Sequence, residues 1–247
     1  MSRINFCIIM MISVVSFIIF NSCAGERTDQ KIRGVNVFYH LPVVKQDGSI
    51  MDIDTYYDVF FSGDLIMYKY VYRYDSSING RVMLYEDRNN FFVFHKDSLY
   101  GYIYDPNPYH IFPDRRLPVD SVLKKNSFES TRFDTLSNLK PDTTYTDKEG
   151  NLLKIYIPSE PKTDPSRFVL YFYYNKNLVG INETFSKKMD NLPDMKLCKI
   201  KILANEVYDE MYKMSFPKRE IYYEMKEIPS FNQKMVAEYF DKYKIAM

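Results

Sequence analysis

The chain has 247 residues, which is long enough for one sizeable domain or two small ones. Its apolar content of 46% is ordinary for a folded globular protein and excludes a largely disordered one. The net charge is +1, and without residues 1–22, where Arg3 is the one charged residue, 32 basic and 32 acidic residues remain. Because basic residues are not in excess, no nucleic-acid partner is expected.

The first residues have the composition of an export signal. Arg3 forms a short basic region, and the apolar run CIIMMISVVSFIIF follows from Cys7 to Phe20. This run is shorter than the ~20 residues that a membrane-spanning helix needs, and it fits the apolar core of a signal peptide. The small residue Ser22 then precedes Cys23, and a polar stretch follows.

Residues 1–23 resemble a bacterial lipoprotein signal, in which signal peptidase II cuts before a cysteine that then carries lipid. The resemblance implies a signal peptide over residues 1–22, palmitate-type lipid on Cys23 and a tether over residues 23–33. Several acyl chains at one terminus anchor a protein stably, because each buried CH₂ group contributes about 0.8 kcal/mol. The membrane is thus a predicted partner, and the predicted location is the cell envelope, at the outer membrane of a Gram-negative bacterium. The alternative is an uncleaved signal anchor in which Cys23 has no role.

The remaining cysteine, Cys198, has no partner for a disulfide once Cys7 is removed and Cys23 is lipidated. It lies in KLCKIKIL, where Cys198, Ile200 and Ile202 share one face of a predicted strand. This pattern favours a buried, free thiol over a reactive one.

The first half of the domain, residues 34–104, reads as strands joined by short polar turns. Gaps this short join antiparallel neighbours, since a parallel crossover needs a dozen or more residues. A first strand over Val35–Val44 is followed by a predicted five-strand meander: Tyr56–Phe61, Leu65–Tyr74, Arg81–Glu86, Asn90–His95 and Leu99–Tyr104.

Within this meander, Ile66, Tyr68, Tyr70, Tyr72 and Tyr74 point to the same side of their strand. Such an aromatic row suits either a core face or a ligand-stacking platform, and the core is the favoured interpretation.

Residues 105–150 are predicted to be a proline-rich loop insert, because five prolines interrupt regular pairing. A short helix is plausible after Pro118, within Val119–Lys125. Three polar residues on this insert, His110, Arg115 and Arg116, are the candidate ligand-binding residues, since loops that follow strands often carry function. The alternative is a surface crossover with no binding role.

A second meander is predicted beyond the insert, and the chain ends in an amphipathic helix. The strands are Leu152–Ile157, Phe168–Tyr174, Leu178–Phe185, Lys196–Leu203 and Glu220–Ile228, with a hairpin turn at residues 175–177. Asn205–Met214 fits a helix or a strand. The helix is expected over Phe231–Lys244, capped by Ser230, with an apolar stripe through Met235, Tyr239 and Tyr243.

The predicted fold class is therefore mainly β (α+β): a curled antiparallel sheet built from two meanders, with a C-terminal amphipathic helix, all within one domain over residues 34–247. By its strand pattern this arrangement resembles the half-barrel of lipoprotein-carrier (LolA-like) envelope proteins and small exported β proteins of the GLPGLI type.

The sequence contains no recognisable catalytic pattern. The three histidines lack metal-ligand spacing, no glycine-rich phosphate loop is present and no Gly-x-Ser-x-Gly elbow exists, so no catalytic residue, metal or cofactor is predicted. Four short Asp-Ser/Thr motifs match an O-glycosylation pattern of exported proteins, and all fall in predicted turns or loop. Their candidate acceptors are Ser98, Ser121, Thr135 and Thr143.

The function expected from these features is a non-enzymatic binding or assembly module of the envelope. Its partner would be an apolar ligand on the concave side of the curled sheet or an envelope protein on its exposed surface. The alternative is an envelope hydrolase that acts on glycans or other envelope substrates, which requires two facing carboxylates. A purely structural scaffold is the third hypothesis, and it predicts no sizeable pocket.

Overall fold

Antiparallel strands make up most of the described chain. The computed structural model describes residues 31–45, 47–78, 81–106, 113–126, 128, 133–157, 168–190, 192–211 and 213–247, with the backbone alone for residues 72–78 and 81–86. The predicted signal peptide, Cys23 and most of the tether lie outside these residues. Contacts group Ile32–Met247 into one unit.

Thirteen strands and two helices occur in the described residues. The strands are β1 (Arg33–Val44), β2 (Ile50–Ser62), β3 (Leu65–Ile78), β4 (Arg81–His95), β5 (Tyr100–Tyr104), β6 (Arg115–Pro118), β7 (Thr143–Thr146), β8 (Leu152–Tyr156), β9 (Phe168–Asn175), β10 (Lys196–Ala204), β11 (Val207–Asp209), β12 (Met214–Phe216) and β13 (Arg219–Glu227). The helices are α1 (Val119–Lys125) and α2 (Gln233–Ala246), and 3₁₀ turns span Asp134–Asn138 and Lys176–Leu178.

Eleven of these described strands form one sheet in the order β6-β5-β4-β3-β2-β1-β13-β10-β9-β8-β7. Strands β1 to β6 form one meander and β7 to β10 a second. Strand β13 joins the meanders by pairing with both β1 and β10. The sheet is curled but not closed, which confirms the predicted fold class. Strands β11 and β12 form a separate hairpin, so the described residues of the ambiguous segment Asn205–Met214 contain strand and turn and no helix.

One face of the sheet carries the main hydrophobic core, and we call it the core face. Alternate residues of the strands meet there, including Val37 of β1, Tyr57 of β2, Tyr68 of β3 and Phe172 of β9. This confirms that the aromatic row of β3 is core at Ile66, Tyr68 and Tyr70; the side chains of Tyr72 and Tyr74 lie outside the described part.

The chain covers the core face with its own connecting segments. The apolar residues that these segments bury against the core face are Val119, Val122, Phe128, Phe133, Leu178, Ile181, Phe185 and Met189. Phe128 stacks on Tyr68 with a centroid separation of 4.8 Å and lies 4.2 Å from the ring of Tyr57. Phe133 contacts the ring of Tyr223 at 4.8 Å.

The opposite face, which we call the helix face, is covered by α2 over strands β2 to β5. Val236, Tyr239, Phe240 and Tyr243 of the helix are buried against a second cluster that contains Phe60, Leu65, Met67, Phe91, Val93 and Tyr104. The predicted apolar stripe is thus confirmed. Strand β3 is consequently buried on both sides over its first residues, whereas its sequence pattern indicated one buried side.

The start of α2 differs from the prediction. The helix begins at Gln233, and its cap is Asn232, whose side-chain oxygen accepts a 3.0 Å hydrogen bond from the Met235 N–H. Ser230 lies two residues before this cap. An asparagine at the N-cap satisfies a free helical N–H as well as a serine does, so local sequence alone did not separate the two.

Two predicted strands of the first meander are one. Arg81–Glu86 and Asn90–His95 were separated by an expected turn at residues 87–89, but β4 continues through it. Asp87, Arg88 and Asn89 pair with the neighbouring residues of β3. The long strand β3 pairs with the backbone of these three residues, and this pairing overrides their preference for a turn.

In the second meander, the predicted strand Leu178–Phe185 and the hairpin turn before it are wrong. The side chain of Asn175 accepts a 2.7 Å hydrogen bond from the Asn177 N–H and starts a 3₁₀ turn. The described residues between this turn and β10, 179–190 and 192–195, contain no helix or strand. Leu178, Ile181 and Phe185 serve as cover for the core face, which explains an apolar run that is not a strand.

The predicted loop over residues 105–150 contains regular structure in its described parts. Helix α1 occupies the residues predicted for it, strand β6 pairs with β5, and strand β7 pairs with β8. Pro118 is the last residue of β6 and directly precedes α1. A proline is tolerated at the start of a helix because the N–H that it lacks would have no partner within the helix there. The described parts of the insert are therefore structural, because their apolar residues pack in the main core.

Truncating the helix side of the second cluster should destabilise the domain. Phe240 is almost completely buried, so Phe240→Ala should lower the free energy of unfolding by about 3–5 kcal/mol. The matched control is Ile245→Ala on the exposed side of the same helix, with an expected change within about 0.5 kcal/mol. Urea denaturation measures both; equal effects would show that α2 does not pack on the sheet.

Candidate functional site

Part of the helix face is not covered by α2. This part, which we call the open face, is carried by β1, β13, β10, β9, β8 and β7. Apart from Pro42, its side chains are half-exposed or exposed, whereas their neighbours along each strand face the main core. The alternation of the strands therefore creates a second, accessible side-chain layer.

A pocket of about 440 Å³ lies on the open face near the ends of β7 to β10 and β13. Tyrosines, leucines and polar residues line it: Tyr145, Thr146, Asp147, Asn151, Leu152, Leu153, Tyr173, Tyr174, Asn175, Cys198, Lys199, Glu224, Met225 and Lys226. A pocket of this size, mostly apolar with a few polar groups, is the usual form of a small-molecule site.

Three of the four charged residues that line the pocket, Lys199, Glu224 and Lys226, are paired with one another. Glu224 accepts hydrogen bonds from Lys199 at 3.1 Å and from Lys226 at 2.8 Å. Burial alone would raise the pKa of Glu224, but these two ammonium groups outweigh it and hold the pKa below its usual value. The Lys199 ammonium also lies 4.9 Å from the ring centre of Tyr222.

The second carboxylate in the pocket, Asp147, is held in the turn between β7 and β8. Hydrogen bonds from the Asn151 side chain and backbone, and from the Glu149 backbone, lower its pKa. Both pocket carboxylates are therefore ionised at neutral pH, and neither is suited to donate a proton as a general acid.

A different carboxyl group, Glu183, lies inside the main core. It is 6% exposed, and it accepts hydrogen bonds from Tyr57 at 2.9 Å and from Tyr68 at 2.5 Å. Tyr39 extends the network, with its hydroxyl 2.9 Å from that of Tyr57. Burial raises the pKa of Glu183 to about 7, although the two tyrosine hydrogen bonds oppose the shift. Glu183 does not line the pocket.

Two of the three residues predicted to bind ligand, Arg115 and Arg116, are not near this pocket. His110 lies outside the described residues. Arg115 and Arg116 belong to β6, the edge strand at the other end of the sheet order from β7. Arg116 is 4.2 Å above the ring of Tyr100, a cation–π contact within the first meander.

The candidate glycosylation residues occupy different kinds of structure. Ser98 lies in the turn before β5, and its hydroxyl donates a 2.7 Å hydrogen bond to the Tyr100 carbonyl. Thr135 lies in a 3₁₀ turn, whereas Ser121 is in α1 and Thr143 in β7. The expectation that all four lie in turns or loop is thus wrong for Ser121 and Thr143.

Cys198 is free but only partly buried. The strand register shifts between Leu197 and Lys199, so Cys198 occupies a β-bulge rather than a regular strand position. Its thiol lies against the main core and donates a 3.3 Å hydrogen bond to the Tyr173 carbonyl. Burial raises the pKa of the thiol to about 11, so the thiolate is scarce at neutral pH.

Sequence reasoning missed the pocket because its lining comes from five strands and their turns. The signal that was present is the alternation in Phe168–Asn175, which places Tyr171 and Tyr173 opposite the core residues of β9. Whether these tyrosines are accessible depends on where α2 packs. In the structure α2 covers the other half of this face, so the two tyrosines remain accessible.

Comparison with known protein families and with curated proteins finds no match. Among the described residues, no group of three or more His, Cys, Asp or Glu side chains is close enough to hold a metal ion. No helix in the described part is long and apolar enough to cross a membrane.

The buried carboxyl of Glu183 should make stability depend on pH. Between pH 4.5, its ordinary pKa, and about 7, the unfolded chain loses this proton while the folded chain keeps it, so stability falls as pH rises. Glu183→Gln removes this loss, and its stability relative to wild type should rise by about 3 kcal/mol from pH 5 to pH 8.

Urea denaturation across this range measures the difference. The exposed variant Glu206→Gln is the matched control, and its stability should follow wild type at each pH. A stability difference between Glu183→Gln and wild type that stays constant with pH would show that Glu183 titrates normally.

Proposed function

We propose that this protein is a lipid-anchored, non-enzymatic binding module of the bacterial envelope, and that its ligand occupies the pocket on the open face. The observation that carries the proposal is a tyrosine- and leucine-lined pocket whose charged groups neutralise one another. Such a lining binds apolar surface, and its two carboxylates, with lowered pKa values, are not suited to act as general acids.

The alternative function, an envelope hydrolase, has less support. Acid–base hydrolysis needs one protonated carboxyl within reach of the substrate and a second carboxylate opposite it. In the pocket, the pKa values of Glu224 and Asp147 are both lowered. The carboxyl with a raised pKa, Glu183, is enclosed by Tyr57 and Tyr68 in the main core.

The location in the envelope rests on residues 1–23, whose pattern resembles a lipoprotein signal. A domain tethered by lipid at its N-terminus stays beside the membrane, so its ligand is one that reaches the envelope. A pocket of this size also favours a binding module over a purely structural scaffold.

The lipid anchor predicts a specific modification. Cells grown with an alkyne-tagged fatty acid should label the protein, and Cys23→Ala should abolish both the label and the cleavage of residues 1–22. Cys198→Ala is the matched control and should be labelled like wild type. Equal labelling of the Cys23→Ala variant would rule out the anchor.

Filling the pocket should weaken the binding of an apolar probe. The neutral dye Nile red should bind the purified domain with increased fluorescence, and Leu153→Trp should weaken its affinity by about tenfold or more, because the larger ring occupies the pocket. The control is Val43→Trp, an exposed position on the β1–β2 hairpin, which should bind the dye as wild type does. Equal affinity in the two variants would contradict the assignment of the site.

A further inference from the structure

The pocket lies in a longer row of side chains that crosses the sheet. Seven residues that are directly opposite one another on successive strands form this row: Tyr145, Leu153, Tyr173, Lys199, Glu224, Phe38 and Tyr56. Six strand spacings of about 4.8 Å give it a length of about 29 Å. We call it the tyrosine row.

Aromatic rings recur along the tyrosine row, on β7, β9, β1 and β2. The two outermost rings are the most accessible, with Tyr145 58% and Tyr56 59% exposed. Phe38 and Tyr173 are half-exposed between them. A second row lies two residues further along the same strands, on the same face, and contains Tyr171 and Tyr222. The aromatic surface is therefore two rows wide along the strand direction. Rings at these intervals suit an elongated ligand with repeated flat, apolar faces.

The charged residues of these two rows are paired within the face. Lys199 pairs with Glu224, and Lys201 pairs with Glu220 at 2.8 Å. In the second row, the carboxylate of Asp54 is hydrogen-bonded to the ring of His40 at 2.8 Å. A charged ligand gains little from groups that already have partners, because binding would have to break an existing ion pair or hydrogen bond. The ligand expected on this surface is therefore neutral.

The direction of the tyrosine row argues against a peptide ligand. The row runs across the strands, and the interior strands already exchange their backbone hydrogen bonds with neighbours on both sides. A peptide lying across them finds no open strand edge for its N–H and C=O groups. A sugar chain needs no such edge, since its C–H faces stack on rings and its hydroxyls bond side chains and water.

We propose that the tyrosine row binds a linear neutral glycan, several rings of which lie across β7 to β2 with one ring in the pocket. This proposal rests on the binding function proposed above and specifies its ligand class. Stacking on separated rings makes the affinity depend on the length of the glycan, since a short saccharide reaches only one or two aromatic positions.

Isothermal titration of the mature domain tests the proposal. The probes are four neutral hexasaccharides (cellohexaose, maltohexaose, mannohexaose and xylohexaose), their disaccharides, hexagalacturonate as a charged chain and an alternating Thr-Val hexapeptide. At least one neutral hexasaccharide should bind about tenfold or more tightly than its disaccharide. It should also bind more tightly than hexagalacturonate and the peptide.

Variants of the row locate the binding. Tyr145→Ala and Phe38→Ala should each weaken the hexasaccharide by about fivefold or more, whereas Tyr145→Phe, which keeps the ring, should stay within about twofold. Tyr208→Ala is the matched control, because Tyr208 is 51% exposed on β11, outside the main sheet, and this variant should bind like wild type. Thermal unfolding of each variant confirms that it is folded.

The proposal is overturned if no neutral hexasaccharide binds at about 10 mM, if the charged chain or the peptide binds more tightly, or if the alanine variants retain full affinity. The Nile red experiment distinguishes failure of the glycan proposal from failure of the proposed binding function. If the dye binds and Leu153→Trp releases it while no sugar binds, the pocket stands and the glycan proposal falls. If neither dye nor sugar binds, both fall.

Discussion

Packing of Phe128 against the core-face tyrosines holds the sheet and its long connections together. Its ring lies 4.2 Å from that of Tyr57 and 4.8 Å from that of Tyr68. The hydroxyls of both tyrosines bond Glu183, which comes from another connection. A sheet must cover its apolar face, and here the chain does so with its own residues. A ligand that leaves this packing intact therefore has access to the open face and not to the core face.

Much of the fold was predictable from the sequence because its signals are local. Alternating residues with short polar turns indicate antiparallel strands, and the i, i+4 spacing of Tyr239 and Tyr243 indicates α2. The predictions failed where distant contacts decide the conformation. Residues 87–89 look like a turn until β3 is placed beside them, and Leu178–Phe185 looks like a strand although it covers the core.

The candidate site was not predictable for a related reason. The tyrosine row depends on β13 lying between β1 and β10, a pairing between strands far apart in the chain. Alternation places Tyr173 opposite the core residues of its strand, but it does not say whether that side is covered. The basic residues that the sequence singled out, Arg115 and Arg116, are at an edge of the other meander, because they belong to a structural strand.

The position of β1 has a mechanical consequence if the proposed lipid anchor on Cys23 holds the domain. Tension from that anchor would enter the fold at Arg33, the first residue of a strand in the middle of the sheet. The guanidinium of Arg33 is fixed there by Glu227 and by the carbonyls of Asn177 and Val179. A pull along β1 loads its ladders to β2 and β13 in shear, so many hydrogen bonds share the force at once instead of opening one after another. The strand by which the domain would be tethered is thus hydrogen-bonded to a neighbouring strand on each side.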